Sequence, residues 1–554
     1  MTRSFIAFAA AMLVANACRD SSSTRSGFIS GGTVVIATSA DPDALFPPIA
    51  TSIEAREVTE LIYEYLADVG PEMNTIGEDG FVKELASGWK WGTDSLSIAF
   101  SIDPGARWHD GKRVTARDVG FSFGIYTDST IESPTRTALS GIDSVTVPDS
   151  GTVVFWFTRR TPHQFYDAAA QMLILPAHVF ETVPRDSLRE FAASRSPVGS
   201  GRYRFGNWTR GSSFEVLAVP DHYRGQAGPS RIVWTVTPEY KTAVTRLLGG
   251  EADVFVNVRS ETIQELAAAK RTNLVSLPGM AYAFMAFNLR DKSSQNRPHP
   301  LFASRDLRRA ITMLLDREAM VKNLFDTLAG VGIGPTVRAY PTTDTSVVQI
   351  PFDRAAGERL LDSLGWRRES AGATRSKDGI PLKFEAIVPV SSLSRTRIAV
   401  LMQEQLRQAG IEMSIDQMDF NAFSDRQTSR SFEATLGSWT LPSSPGAVRV
   451  GWTSSAARKG GQNYGAYESS AFDALVDSAL SAGTVEASRK YFHRANQVIV
   501  DDAPAVWLYE PRTLIAIDKR IRTTPMRPNS WWIDIARWRI PEAERLPRDR
   551  DTGR

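Results

Sequence analysis

The stretch LKFEAIVPVSSLSRTRIAVLMQEQLRQAGIEMSI, residues 382–415, contains a complete strand, helix and strand pattern. Apolar residues alternate with polar ones at 382–386 and again at 411–415, which is the period of a strand. Between them, apolar residues recur at helical spacing, at Ile398, Leu401, Met402, Leu406 and Ala409. Gly410 marks the end of this helix. Such a unit is typical of parallel sheets, so the stretch predicts an α/β fold.

Outside this unit the two halves of the chain differ in character. Two more helices are predicted in the second half, on the apolar faces at 307–314 and 360–364. The first half is rich in predicted strands, which lie at 33–37, 96–102, 145–147, 153–157, 214–219 and 232–236. Pro148 and Gly151 suit a turn, so 145–157 is predicted to form a hairpin.

Length and charge limit the possible classes of protein. The chain has 554 residues, above the ~250 to 300 at which single cores stop growing, so at least two lobes are expected. Its 64 basic and 62 acidic residues leave a formal charge of +2. This balance provides no positive field for nucleic acid, and no nucleic-acid partner is predicted.

The only cysteine, Cys18, ends a short apolar leader. Arg3 precedes the apolar residues 5–15, a run that suits a signal peptide but is shorter than the ~20 apolar residues of a membrane span. Residues 15–18, Ala-Asn-Ala-Cys, resemble the lipobox of bacterial lipoproteins, although Ala15 stands where leucine is preferred. We therefore predict a lipoprotein signal peptide at 1–18 with lipid on Cys18, and a flexible tether at 19–30. The alternative is an ordinary secretory signal with an incidental cysteine.

No motif for metal, nucleotide or nucleophile chemistry is found. The six histidines have no pair at metal-ligand spacing, and residues 105–113 have the wrong spacing for a phosphate-binding loop. No GxSxG elbow is present, and only arrangement in space decides whether serine, histidine and aspartate form a triad. We predict neither a metal nor a cofactor.

The segment RWHDGKRVTARDVGFSF, Arg107–Phe123, resembles the family 5 extracellular solute-binding proteins, which are the peptide, oligopeptide and nickel receptors of ABC importers. Further segments resemble the family in its own order along almost the whole chain. They are DPDALFPP from residue 41, EVTELIYEYL from 57, GSGRYRFGNW from 199, RLLGGEADV from 246, DLRRAITMLLDREAM from 306, FDRAAGERLLDSLGW from 352, YESSAFDALVDSA from 467 and DDAPAVWLY from 501.

The resemblance implies the two-lobe periplasmic binding protein fold, with a hinge, a cleft between the lobes and an extra subdomain in lobe one. Lobe one would span 31–275, with the subdomain at about 71–195, and lobe two 276–504. The chain would return to lobe one at 505–540. The charged, periodless residues 541–554 predict a disordered tail.

The resemblance also implies a binding protein, not an enzyme, which captures a small molecule or peptide and hands it to ABC permease subunits. The protein would be a monomer on the periplasmic side of a bacterial membrane, held there by its lipid alone. Two alternatives remain: a sensory solute-binding lipoprotein without a permease, and a lipid-anchored hydrolase that shares the fold.

Most motif residues are expected to be structural. Trp108, Gly111, Val119 and Phe121 suit packing and turns, and Asp316 with Arg317 is expected to cap or pair locally. Ligand candidates lie where the chain enters lobe two and on a Gly/Trp segment, because cleft sites favour aromatic walls. They are Tyr282, Phe284, Ser438 and Trp439.

Two charged anchors of the family are missing. In its peptide receptors an acidic residue three positions after the tryptophan grips the peptide's amino group, and here Pro442 takes that place. In its dipeptide receptors an arginine ahead of the lobe-two helix holds the carboxylate, and the loop 389–392 has none. Short free peptides are predicted to bind poorly unless acidic and basic groups elsewhere in the cleft replace this pair. A capped or cyclic peptide, an oligosaccharide or a metal chelate is the alternative ligand.

Overall fold

The structure is a computed structural model that describes residues 31–191, 194–458 and 461–549. The predicted signal peptide, its lipid site Cys18 and the tether 19–30 lie outside the described residues. Within the described ranges no helix is long and apolar enough to cross a bilayer.

The described chain forms strands with the following bounds: β1 Thr33–Thr38, β2 Ala67–Asp68, β3 Val82–Lys83, β4 Ala86–Trp91, β5 Ser97–Ile102, β6 Ile142–Asp149, β7 Thr152–Phe157, β8 Tyr203–Thr209, β9 Ser213–Ala218, β10 Arg231–Val236, β11 Val254–Val256, β12 Thr272–Leu277, β13 Ala281–Phe287, β14 Arg290–Asp291, β15 Ser294–Pro298, β16 Ala329–Val331, β17 Ser376–Lys377, β18 Ile380–Pro381, β19 Lys383–Pro389, β20 Glu412–Met418, β21 Ala434–Thr440, β22 Ala505–Pro511 and β23 Thr513–Asp518.

The α-helices between these strands have the following bounds: α1 Ile53–Ile62, α2 Ala116–Thr127, α3 Gln164–Ala169, α4 Ala177–Phe180, α5 Tyr240–Gly249, α6 Ile263–Ala268, α7 Arg305–Met313, α8 Arg317–Phe325, α9 Arg354–Ser363, α10 Leu393–Gln408, α11 Phe420–Thr428, α12 Ala447–Trp452, α13 Ser470–Ser481 and α14 Val485–Asp502.

Two large mixed sheets form the centres of the two lobes. The first has the order β12-β23-β11-β1-β10-β9-β8, with β1 parallel to both β10 and β11. The second has the order β16-β22-β13-β21-β19-β20, with β19 parallel to β20 and β21. The α/β prediction is therefore confirmed, and α10 connects the parallel strands β19 and β20 as the pattern at 382–415 indicated. Gly410 ends that segment at φ +81, in the left-handed region that favours glycine.

A four-stranded antiparallel sheet, β4-β5-β7-β6, extends lobe one and contains the predicted hairpin at β6 and β7. It lies within the range predicted for the extra subdomain. Its inward residues, among them Phe100 and Phe155, belong to the same apolar core as Trp234 of β10. The subdomain and the first sheet are thus joined by continuous packing.

The chain passes between the lobes twice. It crosses first after β12, at 278–280, and returns at Arg512, between β22 and β23. The predicted return at residue 505 differs from this, because β22 pairs with β13 in the second sheet. Six of its seven residues are buried, Glu510 among them, and a strand buried on both faces carries no sign of which sheet it joins.

The two crossing segments touch. A Cβ atom at Gly279 would lie 1.7 Å from the carbonyl oxygen of Pro511, so only glycine allows this approach. The Leu441 amide at the end of β21 donates to the Met280 carbonyl at 2.7 Å. Both crossings and the end of β21 therefore meet at one place between the sheets.

The predicted disordered tail is wrong for its described part. Asp549 is buried and accepts from the backbone amide of Thr33 at 2.8 Å and from Arg520 at 2.7 Å. Arg520 also donates twice to buried Asp253, at 2.9 and 2.8 Å. Because Asp549 completes a buried ion cluster, this part of the charged tail is ordered. The pairing of Asp549 with Arg520 leaves no periodic pattern in the sequence, so sequence reasoning did not find it.

Candidate functional site

A cavity of about 790 Å³ lies between the two large sheets, within the ~300 to 1,000 Å³ typical of ligand sites. Its lobe-one wall includes the ends of β1, β10 and β11 and one face of α1. Its lobe-two wall includes the start of β13 and the ends of β21 and β22. Residues that line the second wall are Met280, Ala281, Thr440, Leu441, Pro442 and Pro511.

Sheet topology explains why the cavity forms at this edge. β1 lies between β10 and β11 and is parallel to both, so the carboxyl ends of all three strands meet. The chain from β10 to β11 crosses β1, and α5 lies on this connection. Ligands in open α/β sheets bind outside the carboxyl ends of strands at such a change of direction.

Helix α1 presents three carboxyl groups to the cavity: Glu54 and Glu57, three residues apart on one face, and Glu60 in the next turn. The Ser52 side chain caps the helix by accepting from the Ala55 amide at 3.1 Å. Glu54 is 8% exposed and accepts a hydrogen bond from the Thr38 hydroxyl at 3.1 Å. In the described ranges no arginine, lysine or histidine pairs with Glu54. The cavity thus contains a carboxyl group with no basic partner.

Two indoles hold Glu57. Trp234 donates from Nε1 to one carboxylate oxygen at 2.7 Å, and Trp531 donates to the other at 3.1 Å. Burial, opposed by these hydrogen bonds and assisted by the nearby Glu54, raises the pKa of Glu57 to about 8. At neutral pH the side chain therefore carries a proton in most molecules.

The next turn of α1 carries an ion pair. Arg56 pairs with Glu60 at 3.1 Å, and its guanidinium lies 5.5 Å from the ring centre of Trp532. Trp532 in turn donates from Nε1 to Glu60 at 2.9 Å. The polar groups of these three side chains therefore already have partners.

Arginines line another part of the cavity. Arg259, after β11, is exposed and lies 4.1 Å from the ring centre of Tyr240, whose hydroxyl accepts from the Arg259 amide at 2.8 Å. No carboxylate pairs with Arg259 in the part of the chain that the structure describes. Arg512, at the return crossing, donates to the Ser276 hydroxyl at 2.7 Å. The cavity therefore offers groups of both charges to a ligand.

None of the four predicted ligand residues lines this cavity. Tyr282 and Phe284 are 1% and 3% exposed and pack with Trp439, Trp452 and Trp507 in an aromatic cluster of lobe two. The Tyr282 hydroxyl accepts from Trp452 Nε1 at 2.8 Å, so its polar end is already occupied.

Ser438 is exposed on β21, and Trp439 beside it is half-buried. Ala281, next to Tyr282 in the chain, and Thr440, next to Trp439, do line the cavity. The residues that sequence reasoning missed are Glu54, Glu57 and Arg259. The spacing of the two glutamates could have indicated them, because they are three residues apart on the first α-helix after β1.

The two positions at which the family's charged anchors are missing differ in their distance from the cavity. Pro442 lines the cavity, and its carbonyl accepts from the Tyr340 hydroxyl at 2.6 Å. The loop 389–392 does not line it. Arg397 is exposed on α10, and Arg395 donates to the Leu436 carbonyl at 3.2 Å.

The motif residues expected to be structural are largely so. Trp108 and Val119 are buried, and Gly111 has φ +87 in a turn. Asp316 caps α8 by accepting from the Ala319 amide at 2.9 Å. Arg317 differs from expectation, because it reaches across the lobe to the Trp507 carbonyl at 3.2 Å.

Comparison with known proteins agrees with this architecture. Residues 80–461 match the profile of the bacterial extracellular solute-binding proteins, family 5 Middle. The oligopeptide-binding protein AppA of Bacillus subtilis (strain 168) is 24% identical over 92% of this chain and 91% of its own length.

Two solved structures share the fold. The structure of AppA from Bacillus subtilis in complex with a nonapeptide superposes with a TM-score of 0.74 at 23% identity, over 93% of this chain and 99% of that one. The ABC transporter substrate-binding protein CtaP from Listeria monocytogenes gives 0.79 at 21% identity, over 93% and 100%. Since the profile covers more than half of the chain, this protein belongs to the family 5 bacterial extracellular solute-binding proteins.

Proposed function

We propose that this protein is the receptor of an ABC importer, which binds a peptide or peptide-like solute in the cavity between its lobes and delivers it to a permease. Family membership and the similarity to an oligopeptide-binding protein support the receptor role. The cavity volume of about 790 Å³ suits a short peptide or part of a longer one.

The observation that carries the proposal is the pair of opposite charges in the cavity wall. A free peptide has an ammonium and a carboxylate, and an unpaired buried charge costs ~3 to 5 kcal/mol. Glu54 has no basic partner and Arg259 has no acidic one in the described chain. We infer that Glu54 receives the ammonium and Arg259 the carboxylate, which replaces the anchors missing at Pro442 and at 389–392. Free peptides are then expected to bind.

Calorimetry with di- to pentapeptides, free and amino-terminally acetylated, tests this assignment. Glu54→Gln should weaken binding of the free peptides by roughly 10-fold to 100-fold, since a hydrogen bond to a charged group contributes ~1.5 to 3 kcal/mol. Binding of the acetylated peptides should change little.

Glu265→Gln is the matched control, because Glu265 is exposed on α6 and does not line the cavity. Equal losses for free and acetylated peptides would contradict the role of Glu54. If acetylated peptides bind the native protein and free ones do not, the ligand is a blocked peptide and the assignment of the ammonium is wrong.

We further propose that lipid on Cys18 holds the protein, as a monomer, on the periplasmic side of the membrane. One acyl chain gives only marginal attachment, and lipoprotein processing supplies more than one. Cys18→Ser should therefore move the protein from the membrane to the soluble envelope fraction. Retention of this variant in the membrane at native yield would rule out the lipid anchor.

A further inference from the structure

A second chamber, of about 280 Å³, lies in lobe one beside the main cavity. Its walls come from α1, from residues 63–71 and 82–84, from 201–203 and from the segment 524–537. Glu60, Asp68 and Val69 line both spaces, so these side chains form the partition between them.

Most charged groups of the chamber wall are paired, although Arg202 has no carboxylate partner among the described residues. Arg527 donates to Asp68 at 2.6 Å, and Arg224 donates to both Glu64 and Glu84 at 2.8 Å. Burial raises the pKa values of Asp68 and Glu64 to about 7, although the arginines oppose this shift. An ion of either sign would meet arginines and carboxyl groups side by side, so no part of the wall offers it charges of the opposite sign alone.

Several hydrogen-bond donors on the wall have no partner in the described ranges. The Tyr63 hydroxyl is such a group, on a side chain that is 1% exposed. Arg527 is 4% exposed, and its Nε and Nη1 atoms also lack partners. The same holds for Arg202 Nε and the Thr524 hydroxyl. An unpaired buried donor costs ~1 to 3 kcal/mol, so the wall favours a guest rich in acceptors.

We propose that this chamber is a subsite of the cleft that receives an uncharged, hydrogen-bond-accepting group of the bound solute, such as the side-chain amide of a peptide. The balanced charges disfavour ions, and the excess of donors disfavours an apolar group. This inference rests on the proposed function, because the group would enter from a solute held in the main cavity past Glu60 and Asp68.

The first test needs no solute. Crystals of the full-length protein soaked in acetamide should show its carbonyl oxygen within hydrogen-bond distance of the Tyr63 hydroxyl and Arg527. Tyr63→Phe removes a buried hydroxyl that has no hydrogen-bond partner among the described residues, so the melting temperature should not fall while acetamide is lost from the chamber. Tyr126→Phe is the control, because the Tyr126 hydroxyl donates to the Leu173 carbonyl and lines neither space. A chamber that holds only ordered water in the native protein overturns the proposal.

The second test uses peptides that differ at one position among glutamine, glutamate, lysine and leucine. At one position of the peptide we expect a roughly threefold to tenfold preference for glutamine, as one net hydrogen bond provides, and its loss in Tyr63→Phe. If no peptide binds the native protein, the proposed function fails while the acetamide result still decides on the chamber. A glutamine preference that Tyr63→Phe leaves intact shows that the chamber does not receive the solute.

Discussion

Each lobe contains a group of tryptophans, and the two groups are built differently. In lobe two, Trp452 and Trp507 pack against each other with ring centres 4.8 Å apart and against Tyr282 and Phe284. In lobe one, Trp531 and Trp532 line the cavity and donate their indole N–H groups to Glu57 and Glu60. The first group is an apolar core, and the second is a scaffold that positions acids.

The contrast shows which aromatic residues indicate a binding wall. The predicted residues Tyr282 and Phe284 stand close to the crossing between the lobes, and the structure places them in the lobe-two cluster, outside the cavity lining. The useful sign is an indole N–H that donates to an acidic side chain, because an indole offers an apolar face and one donor. Substitutions in each group test this distinction.

The largest effect is expected in the lobe-two cluster. Trp507→Ala should lower the free energy of unfolding by ~3 to 5 kcal/mol, since it opens a cavity in a packed core. Urea unfolding measures this loss, and calorimetry should find the peptide affinity of the folded variant within about twofold of the native value. A hundredfold loss of affinity at unchanged stability would place the solute on the lobe-two cluster.

A smaller effect should follow from Glu57 in the lobe-one scaffold. Its pKa of about 8 lies above the ordinary 4.5, so between these values the folded state binds more protons than the unfolded state. The free energy of unfolding must then fall as pH rises through this window. Glu57→Gln removes this titration. The free energy of unfolding of the variant, minus that of the native protein, should therefore be roughly 2 to 4 kcal/mol larger at pH 8.5 than at pH 4.5.

Urea unfolding at several pH values between 4.5 and 8.5 checks the Glu57 prediction. Some slope should remain in the variant, because the pKa values of Glu64 and Asp68 are raised as well and act in the same direction. Parallel curves for the variant and the native protein would show that Glu57 does not change its protonation on folding.

The smallest effect separates the two kinds of tryptophan directly. Trp532→Phe keeps an aromatic ring but removes the donor to Glu60, and we expect a loss of ~1 to 2 kcal/mol. Trp439→Phe, in the lobe-two cluster, has no such donor to a carboxylate to lose and should cost less. The two unfolding midpoints, measured side by side, decide the matter, and equal losses would mean that the indole N–H groups contribute nothing.

Much of the fold was predictable because it follows local patterns. The alternation and helical spacing at 382–415 yield β19, α10 and β20 with few errors at their ends. Turn residues likewise located the β6 and β7 hairpin. The assignment of β22 to its sheet was not predictable, because a strand buried on both faces has the same composition in either lobe.

The candidate site was predictable only in part, and the reason is geometric. The cavity meets the second sheet only at the ends of its strands, so one residue along β13 separates cavity lining from core. Tyr282 was chosen, and Ala281 lines the cavity. Arg259 was missed because its partner Tyr240 lies on another element, where no spacing rule connects them.

The buried ion cluster at Asp549 has a consequence for the order of folding. Strand β1 pairs with β10 and β11, and its Thr33 amide donates to the carboxylate of Asp549, which lies 516 residues later in the chain. Synthesis runs from the amino end, so lobe two is complete in the chain before lobe one has all its parts. Such distant contacts slow folding and leave apolar strands exposed meanwhile. Lobe one is therefore the first to begin synthesis and the last to complete its folding, and it depends more than lobe two on protection from aggregation.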